Sequence, residues 1–295
     1  MKAAKILAFL FAAAMVLTAC GTVISDPVVS APVVTDAPPV REPYPVSFEN
    51  ENFEARPLSV ASLSPAITEI LYDIGAQDAL VAVSDYCDYP AAAANFSKIG
   101  SPARPDIDAI IDLAPELLIT QSPIASADIL ALRQAGIRVL ELEQPRSFAE
   151  LCEIYIKLTM IFHGAVDSQS IAAELLSGID SQLTAARGLG NFESFVIVEA
   201  ESDDGLMLSG GHTLCSDMLS VFGYNLRAGT EVFFAHEEEL LTISPETVFY
   251  AAGLDRGRIE KEFPRSKLIE IDFERFERPT VRLEGVIAEC AEKIR

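Results

Sequence analysis

One short stretch of the 295-residue chain, AVSDYCDYP from Ala82 to Pro90, groups two tyrosines, two aspartates and a cysteine directly after an apolar run. A chain with no tryptophan and only three histidines thus places aromatic and polar side chains together on one predicted loop. Because tyrosine combines a large apolar face with a polar tip, the ring of Tyr86 is suited to facing a ligand in a cleft. The alternative, a ring packed beneath its own loop, stays open at this point.

Basic side chains form a second group that could bind a ligand, in a chain whose formal net charge is -22. The segment ERFERPTVRLEG concentrates Arg275, Arg278 and Arg282 between the last predicted strand and the last predicted helix. This is the carboxyl end of a strand in a parallel sheet, where open α/β sheets place ligands. Surface pairing of these arginines with Glu274 and Glu277 is the competing interpretation.

Motifs typical of enzymes are absent from the sequence, which has no GxSxG, GxGxxG, P-loop or HExxH pattern. The stretch SGGH at residues 209–212 could cradle an anion ahead of a helix. We interpret it instead as a turn that enters a helix at Leu214. The other histidines, His163 and His236, are too dispersed in sequence to indicate a ligand set. We therefore predict no catalytic residue and no metal-binding residue.

Alternating strands and helices position these residues. Ser64 as N-cap and Pro65 at the first helical position predict a helix to about Ile74, where Gly75 ends it. This helix lies between predicted strands at residues 58–63 and 80–83. The pattern continues with helices at 106–113 and 127–135 and strands at 116–120 and 138–142. It predicts a parallel sheet with helices on both faces.

Residues 147–187 have apolar residues at helical spacing, interrupted near Gly164, which predicts one helix followed by a second, long helix that bridges two lobes. The alternation then resumes, with strands at 195–199, 247–251 and 268–271 and helices at 214–222, 237–243 and 281–294. DAIIDLAPELLIT from Asp108 and EELLTISPETVFY from Glu238 align without a gap. We therefore predict an α/β fold of two related Rossmann-like lobes with parallel sheets, at 57–146 and 191–295, joined by a helical segment at 147–190.

The N-terminal residues indicate where the protein is located. Lys2 and Lys5 precede an apolar stretch too short to span a bilayer, which predicts a signal peptide over residues 1–20. Its end, LTACG, resembles the lipobox of bacterial lipoproteins, which implies that Cys20 becomes the acylated N-terminus. Residues 21–56, rich in proline and acidic residues without any period, predict a disordered tether. The expected location is extracytoplasmic, with a lipid anchor in the bacterial cell membrane.

The acidic composition, with a pI of about 4.4, argues against binding to nucleic acid. Beyond the lipobox, the four cysteines are isolated and lack metal-ligand spacing. They are predicted to be buried thiols or to form one or two disulfides. Cys215 and Cys290 are the candidate pair, because they fall on helices expected to be neighbours in an oxidising exterior.

With these features in place, the chain from Leu58 to its C-terminus resembles the iron-siderophore and vitamin B12 class of substrate-binding proteins that serve ABC importers, most nearly the cobalamin-binding branch. The resemblance rests on SLSPAITEILYDIGA, AVSDYCDYP, IDAIIDLAPELLIT, LRQAGIRVLEL and RPTVRL, in the family's order and spacing. It implies the two-lobed class III periplasmic-binding-protein fold with a rigid bridging helix, a ligand in the cleft between the lobes, and no enzymatic activity.

The resemblance also implies roles for particular residues in the cleft. Tyr86 is assigned to the wall in the N-terminal lobe and Arg278 to the wall in the C-terminal lobe, with Arg282 and Phe233 as further candidate ligand contacts. The implied ligand is a metal chelate, either a cobalt corrinoid or a ferric complex, and no resident cofactor is expected. Cobalamin binders of this type often line the cleft with tryptophan, which this chain lacks; the comparable places are Pro102, Gln121 and residues 232–234.

Asp108 and Glu238 are implied to lie at the two lobe tips that meet the permease. The expected partners are a dimeric ABC permease with its ATPase subunits, while the protein itself is expected to be a monomer. Three alternatives stay open: a ferric siderophore or haem binder of the same class that uses Arg104 with the other arginines, a direct zinc or manganese binder, and a surface-anchored enzyme. The scarcity of histidines argues against the direct metal binder.

Overall fold

The computed structural model describes residues 43–48, 51–189, 193–230, 233–240 and 242–295, except for the side chains at positions 48, 233, 234, 237 and 238. The predicted signal peptide, Cys20 and most of the predicted tether lie outside the described residues. Within the described part, no helix is both long and apolar enough to cross a membrane.

A short hairpin precedes the first predicted strand. In it, β1 (Val46–Phe48) pairs antiparallel with β2 (Glu51–Phe53). Val46 and Phe53 are each only 2% exposed and join the main hydrophobic core. The Tyr44 hydroxyl donates a hydrogen bond to the Ile161 carbonyl at 2.7 Å. The prediction that the tether continues to Arg56 was therefore wrong, because its last apolar side chains are buried against the folded chain.

The N-terminal lobe, residues 60–141, alternates strands and helices as predicted. Its elements are β3 (Val60–Ser62), α1 (Pro65–Asp73), β4 (Leu80–Val83), β5 (Ser97–Lys98), β6 (Gly100–Ser101), β7 (Arg104–Pro105), α2 (Ile107–Leu113), β8 (Leu117–Thr120), α3 (Ser126–Gln134) and β9 (Arg138–Glu141). Five strands form a parallel sheet in the order β5-β4-β3-β8-β9, and β6 pairs with β7 in a small antiparallel ribbon. The predicted caps are confirmed: the Ser64 hydroxyl accepts from the Ile67 N–H at 3.3 Å and the Asp106 carboxylate from the Ala109 N–H at 3.0 Å.

Two long helices follow, α4 (Phe148–His163) and α5 (Ser168–Arg187), as the apolar spacing predicted. Several of the hydrogen bonds that tie the two halves of the chain together come from α4. Its Tyr155 hydroxyl donates to Asp73 at 2.6 Å and accepts from the Val281 N–H at 3.1 Å. At its start, the Phe148 N–H donates to the Asp217 carboxylate at 2.9 Å. The first helix therefore contributes to the bridging between the lobes that was predicted for the second.

The C-terminal lobe, residues 193–294, contains a six-stranded sheet. Its elements are β10 (Glu193–Ser202), β11 (Gly205–Leu208), α6 (Leu214–Leu219), β12 (Gly223–Asn225), β13 (Phe233–Ala235), α7 (Glu237–Leu240), β14 (Thr247–Ala251), α8 (Arg256–Glu262), β15 (Lys267–Ile271), α9 (Glu274–Glu277) and α10 (Leu283–Ile294). The order is β13-β11-β10-β14-β15, with β12 beside β10.

The prediction of a wholly parallel sheet was wrong for this lobe, because the second sheet is mixed. Strands β12, β14 and β15 run parallel to their neighbours, whereas β11 is antiparallel to both β10 and β13. Asp203 and Asp204 form the two-residue connection between β10 and β11. A short polar connection of this kind permits only an antiparallel return, because a parallel crossover needs a dozen or more residues.

Both sheets are covered on both faces, as alternation of side chains along buried strands requires. In β10, Ile197 packs into the core shared with α4 and α5, while Val196 and Val198 pack into a separate cluster on the opposite face. In β8, Ile119 and Leu118 divide in the same way. The shared core therefore joins one face of each sheet to the bridging helices.

The Cys215–Cys290 disulfide expected from the sequence is absent. All four cysteines in the described part are free, and Cys215 and Cys290 are buried. Burial raises the pKa of Cys290 to about 12 and that of Cys215 well above its usual value. The two residues therefore behave as small apolar side chains that fill the core where α6 and α10 contribute to it.

Candidate functional site

A cleft lies between the two lobes where several strands of both sheets reach their carboxyl ends. Its larger part has a volume of about 500 Å³ and its smaller part a volume of about 160 Å³. Gln121, Gln144 and Glu277 line both parts, so the two are continuous. We call this space the inter-lobe cleft. Its position matches the rule that open α/β sheets bind ligands beyond the carboxyl ends of their strands.

The N-terminal wall of the inter-lobe cleft comes from loops that follow β3, β4, β8 and β9. Tyr86 is 58% exposed and lines the smaller part. Its loop is held by Lys98, whose ammonium group donates to the carbonyls of Ser84 at 3.2 Å and Cys87 at 2.9 Å. The buried Cys87 therefore anchors the loop, while the neighbouring ring of Tyr86 projects to the surface of the cleft. The alternative of a ring packed beneath its own loop is excluded.

Gln121 and Pro102 also line the smaller part of the cleft. These are two of the positions that the sequence indicated in place of tryptophans. The Gln121 side-chain oxygen accepts a hydrogen bond from the Ser64 hydroxyl at 2.6 Å, which leaves its NH₂ group to donate to a ligand.

Of the two arginines predicted to bind ligand, only Arg278 lines the cleft in the described part of the chain. Its guanidinium donates to Asp88 at 2.7 Å and lies 3.3 Å from the carboxylate of Glu274. Arg282 is placed differently. It donates to Glu69 at 2.8 Å and lies over the ring of Tyr89, 3.9 Å from its centroid. Arg282 thus holds the two lobes together, and Tyr89 contacts it through a cation–π interaction.

Glu69 is a buried carboxylate that the sequence analysis missed. It lies on α1, is 2% exposed, and accepts from the Thr280 hydroxyl at 3.5 Å in addition to Arg282. Burial raises the pKa of Glu69 to about 7, against the opposing charges of Arg278 and Arg275. A signal was present in the sequence, because this glutamate interrupts an apolar helical stretch.

The C-terminal wall contributes aromatic, acidic and imidazole side chains. Phe273 and Phe276, whose ring centroids lie 6.3 Å apart, line the larger part of the cleft. Glu199 lines the same part of the cleft as Gln121 and Gln144. Burial raises the pKa of the Glu199 carboxyl, and a hydrogen bond from Ser209 opposes the shift. His212, which we had interpreted as part of a turn only, also lines this part of the cleft. The clue was its position after two glycines, just before a predicted helix.

The charges lining the cleft do not add up to a basic site. Among the described residues its carboxylates are Glu143, Glu199 and Glu277, and its arginines are Arg146 and Arg278. Arg278 is already paired with two acidic side chains. No group of three metal-ligating side chains occurs among the described residues.

The remaining predicted site residues are only partly described. Asp108 is exposed in the first turn of α2, behind the N-cap Asp106. The backbone of Phe233 pairs with Leu208 and Glu238 lies in α7, but the side chains of both lie outside the described part. Their predicted roles in ligand binding and permease docking therefore stay predictions.

Comparison with known protein families gives one match over most of the chain. A profile described as "Periplasmic binding protein" matches residues 60–254. An uncharacterized ABC transporter substrate-binding lipoprotein of Bacillus subtilis, YvrC, is 27% identical over 270 residues, which is 88% of this chain and 84% of the relative. A vitamin B12-binding protein of Photorhabdus laumondii is 26% identical over 254 residues, 81% of this chain and 88% of the relative.

Solved structures match at lower identity. The periplasmic vitamin B12-binding protein BtuF of Vibrio cholerae superposes with a TM-score of 0.68 at 21% identity, over 81% of this chain and 96% of its own. The periplasmic haem-binding protein HutB of Vibrio cholerae gives a TM-score of 0.67 at 16% identity, over 80% and 97%. At these identities the likeness shows the fold, and it does not distinguish between the two ligands.

Proposed function

The chain belongs to the periplasmic binding protein family, whose members are non-enzymatic transport components, and from this premise we propose that it serves an ABC importer. The proposed cargo is a metal chelate, a cobalt corrinoid by preference, which binds in the inter-lobe cleft. Family membership places the protein outside the cytoplasm and excludes the surface-anchored enzyme. The proposed partners are a permease dimer with its ATPase subunits, and the protein is proposed to act as a monomer.

The chemistry of the cleft lining carries the choice of a corrinoid. Glu143, Glu199 and Glu277 line a space in which Arg146 is the one arginine of the described lining not already in an ion pair. An anionic chelate placed there would be desolvated beside carboxylates, and like charges brought together at low dielectric repel strongly. Ferric catecholates and the two carboxylates of haem therefore suit this lining poorly.

A corrinoid carries neutral carboxamide groups around its ring, and these suit the amides of the cleft. Gln121 offers its NH₂ group, and Gln144 offers a donor and an acceptor. The apolar face of Tyr86 and the rings of Phe273 and Phe276 offer surfaces for the flat ring system. Two relatives that bind vitamin B12 by name, one by sequence and one by fold, agree with this choice.

Titration of the full chain with cyanocobalamin, haemin and a ferric catecholate tests the proposal. We expect saturable binding of cyanocobalamin and weaker binding of the two anionic chelates. Glu143→Gln combined with Glu277→Gln should strengthen binding of the ferric catecholate, because it removes like-charge repulsion, and should change cyanocobalamin binding much less. Tighter binding of haemin or ferric catecholate than of cyanocobalamin by the unmodified chain would overturn the corrinoid assignment.

Haem is the second candidate ligand. It is favoured by the fold match to a haem-binding protein and by the side chains of Tyr86 and His212 on the cleft walls, because both residue types bind haem iron. A ferric siderophore of the same class has weaker support, since Arg282 is paired with Glu69 and Arg104 is not among the described lining residues.

Anchoring through Cys20 completes the proposal. The lipobox-like sequence supports it, and the similar Bacillus subtilis protein is a lipoprotein by name. Cys20→Ser should release the protein from the membrane fraction. Retention of that variant in the membrane would contradict the anchor.

A further inference from the structure

His212 is an exposed imidazole on the wall of the larger part of the cleft. It makes no hydrogen bond or ion pair with any residue in the described part of the chain. Polar side chains on an irregular turn usually bond to neighbouring backbone or carboxylate groups. The two nitrogens of His212 are therefore left to a partner that enters the cleft.

The turn that presents His212 is rigid. The Asn225 amide donates to the Ser209 carbonyl at 3.1 Å and to the Ser216 hydroxyl at 3.0 Å. The Gly211 N–H donates to the Thr230 carbonyl at 3.0 Å. A Cβ atom at Gly211 would collide with the backbone of Ala228, so this position requires glycine.

The residue after His212 fixes the turn from the other side. The Thr213 hydroxyl lies 3.0 Å from that of Ser209 and accepts from the Ser216 N–H at 3.2 Å, which starts α6. The backbone on both sides of the imidazole is thus fixed before any ligand arrives. An imidazole on a backbone fixed in this way is suited to binding, because little backbone conformational entropy remains to be lost when a ligand is bound.

From this geometry, and resting on the corrinoid function proposed above, we infer that His212 coordinates the cobalt of the bound corrinoid. In the reaction, a neutral imidazole nitrogen donates its lone pair to an axial position of Co(III) and a water molecule leaves that position. The cobalt keeps its oxidation state, and no proton is transferred. The described cleft offers no other imidazole and no group of three metal ligands, so the protein supplies a single axial ligand to a metal that arrives already chelated.

Two cobalamins that differ at the axial position separate coordination from simple binding. Aquocobalamin carries an exchangeable water, whereas cyanide occupies the same position in cyanocobalamin. We expect the visible absorption bands of aquocobalamin to shift on binding to the full chain toward those of its adduct with free imidazole. The spectrum of cyanocobalamin should stay unchanged.

His212→Ala should abolish the shift and weaken aquocobalamin binding by at least about 10-fold, the lower end of the loss seen when a supporting contact at a metal site is removed. The same variant should lose less affinity for cyanocobalamin than for aquocobalamin, because no bond to cobalt is lost with the cyanide form, and its remaining cyanocobalamin binding shows that it is folded. His236→Gln, which changes a histidine outside the described cleft lining, is the matched control and should keep the shift.

Binding of both cobalamins by the unmodified chain without any spectral shift would overturn the coordination and leave the corrinoid function standing. A shift that persists in His212→Ala would do the same. Failure of both cobalamins to bind would overturn the corrinoid function, and the coordination with it.

Discussion

The guanidinium of Arg282 lies 2.8 Å from the carboxylate of Glu69, and this contact joins the loop before α10 to the buried side of α1. The sequence separates the two residues by 213 positions. The side chain of Glu69 is 2% exposed, whereas that of Arg282 is 25% exposed. The pair therefore connects the two lobes beside the inter-lobe cleft, and its ionic state affects how firmly the lobes are held together.

Loss of Arg282 should destabilise the protein. Arg282→Met would leave the Glu69 charge buried without its nearest partner, and we expect a loss of about 2–4 kcal/mol in the free energy of unfolding, close to the range for a broken buried pair. Urea unfolding at about pH 8, above the pKa of Glu69, measures it. As a control, Lys293→Met removes an exposed pair with Glu289 and should cost less than about 1 kcal/mol. Equal effects of the two variants would contradict a special role for the Arg282 contact.

Glu69 should also make stability depend on pH. Its pKa is raised from 4.5 to about 7 in the folded protein, so the folded state binds the proton more tightly than the unfolded state does. The stabilisation from that proton is present below about pH 4.5 and is lost as the pH rises to about 7, with a total of up to about 3 kcal/mol. Comparison of the unmodified chain with Glu69→Gln across this window isolates the effect. A constant difference between them would refute it.

Tyr86 should contribute directly to ligand binding. Tyr86→Ala should weaken cyanocobalamin binding by about 1–3 kcal/mol, the scale of a lost aromatic contact, and Tyr86→Phe should keep most of it. Tyr224 offers a matched control, because it is also 58% exposed and is not among the described cleft residues, so Tyr224→Ala should leave the affinity unchanged. Unchanged affinity in both Tyr86→Ala and Arg278→Ala, measured by calorimetry, would rule out this cleft as the ligand site.

Much of the fold could be predicted from local signals in the sequence. The N-cap residues Ser64 and Asp106 and the apolar runs predicted three helices and four strands of the N-terminal lobe to within about two residues, but not the short strands β5, β6 and β7. The antiparallel strand β11 was not predicted, because the two-residue connection that sets its direction has the same polar composition as other turns. The buried hairpin at residues 46–53 was missed because its burial depends on a surface formed more than 100 residues later, as the Tyr44 to Ile161 contact shows.

The candidate site was predicted less completely, for a related reason. Tyr86 and Arg278 stood out because the chain has only seven tyrosines and half as many basic as acidic residues, and the fold brings both to one cleft. Arg282 looked equivalent to Arg278 in the sequence. In the structure Arg278 lines the cleft, whereas Arg282 pairs with Glu69. Residue type indicates what a side chain can bind, while its partner depends on contacts across the fold.

The last prediction concerns docking to the permease and rests on the repeated helix and strand in the two lobes. Asp108 lies exposed in the first turn of α2, where a carboxylate is favourable beside the helix N-terminus, and Glu238 lies in the equivalent helix α7. We propose that these acidic residues contact basic residues on the two halves of the permease dimer, because charges at the rim of an interface guide encounter and register more than affinity.

Asp108→Lys with Glu238→Lys should therefore leave ligand binding within about twofold and abolish uptake through the importer. Glu174→Lys with Asp180→Lys, the same change of charge at two exposed positions of α5, is the matched control and should transport normally. Normal uptake by the Asp108 and Glu238 double variant at normal expression would refute the docking role.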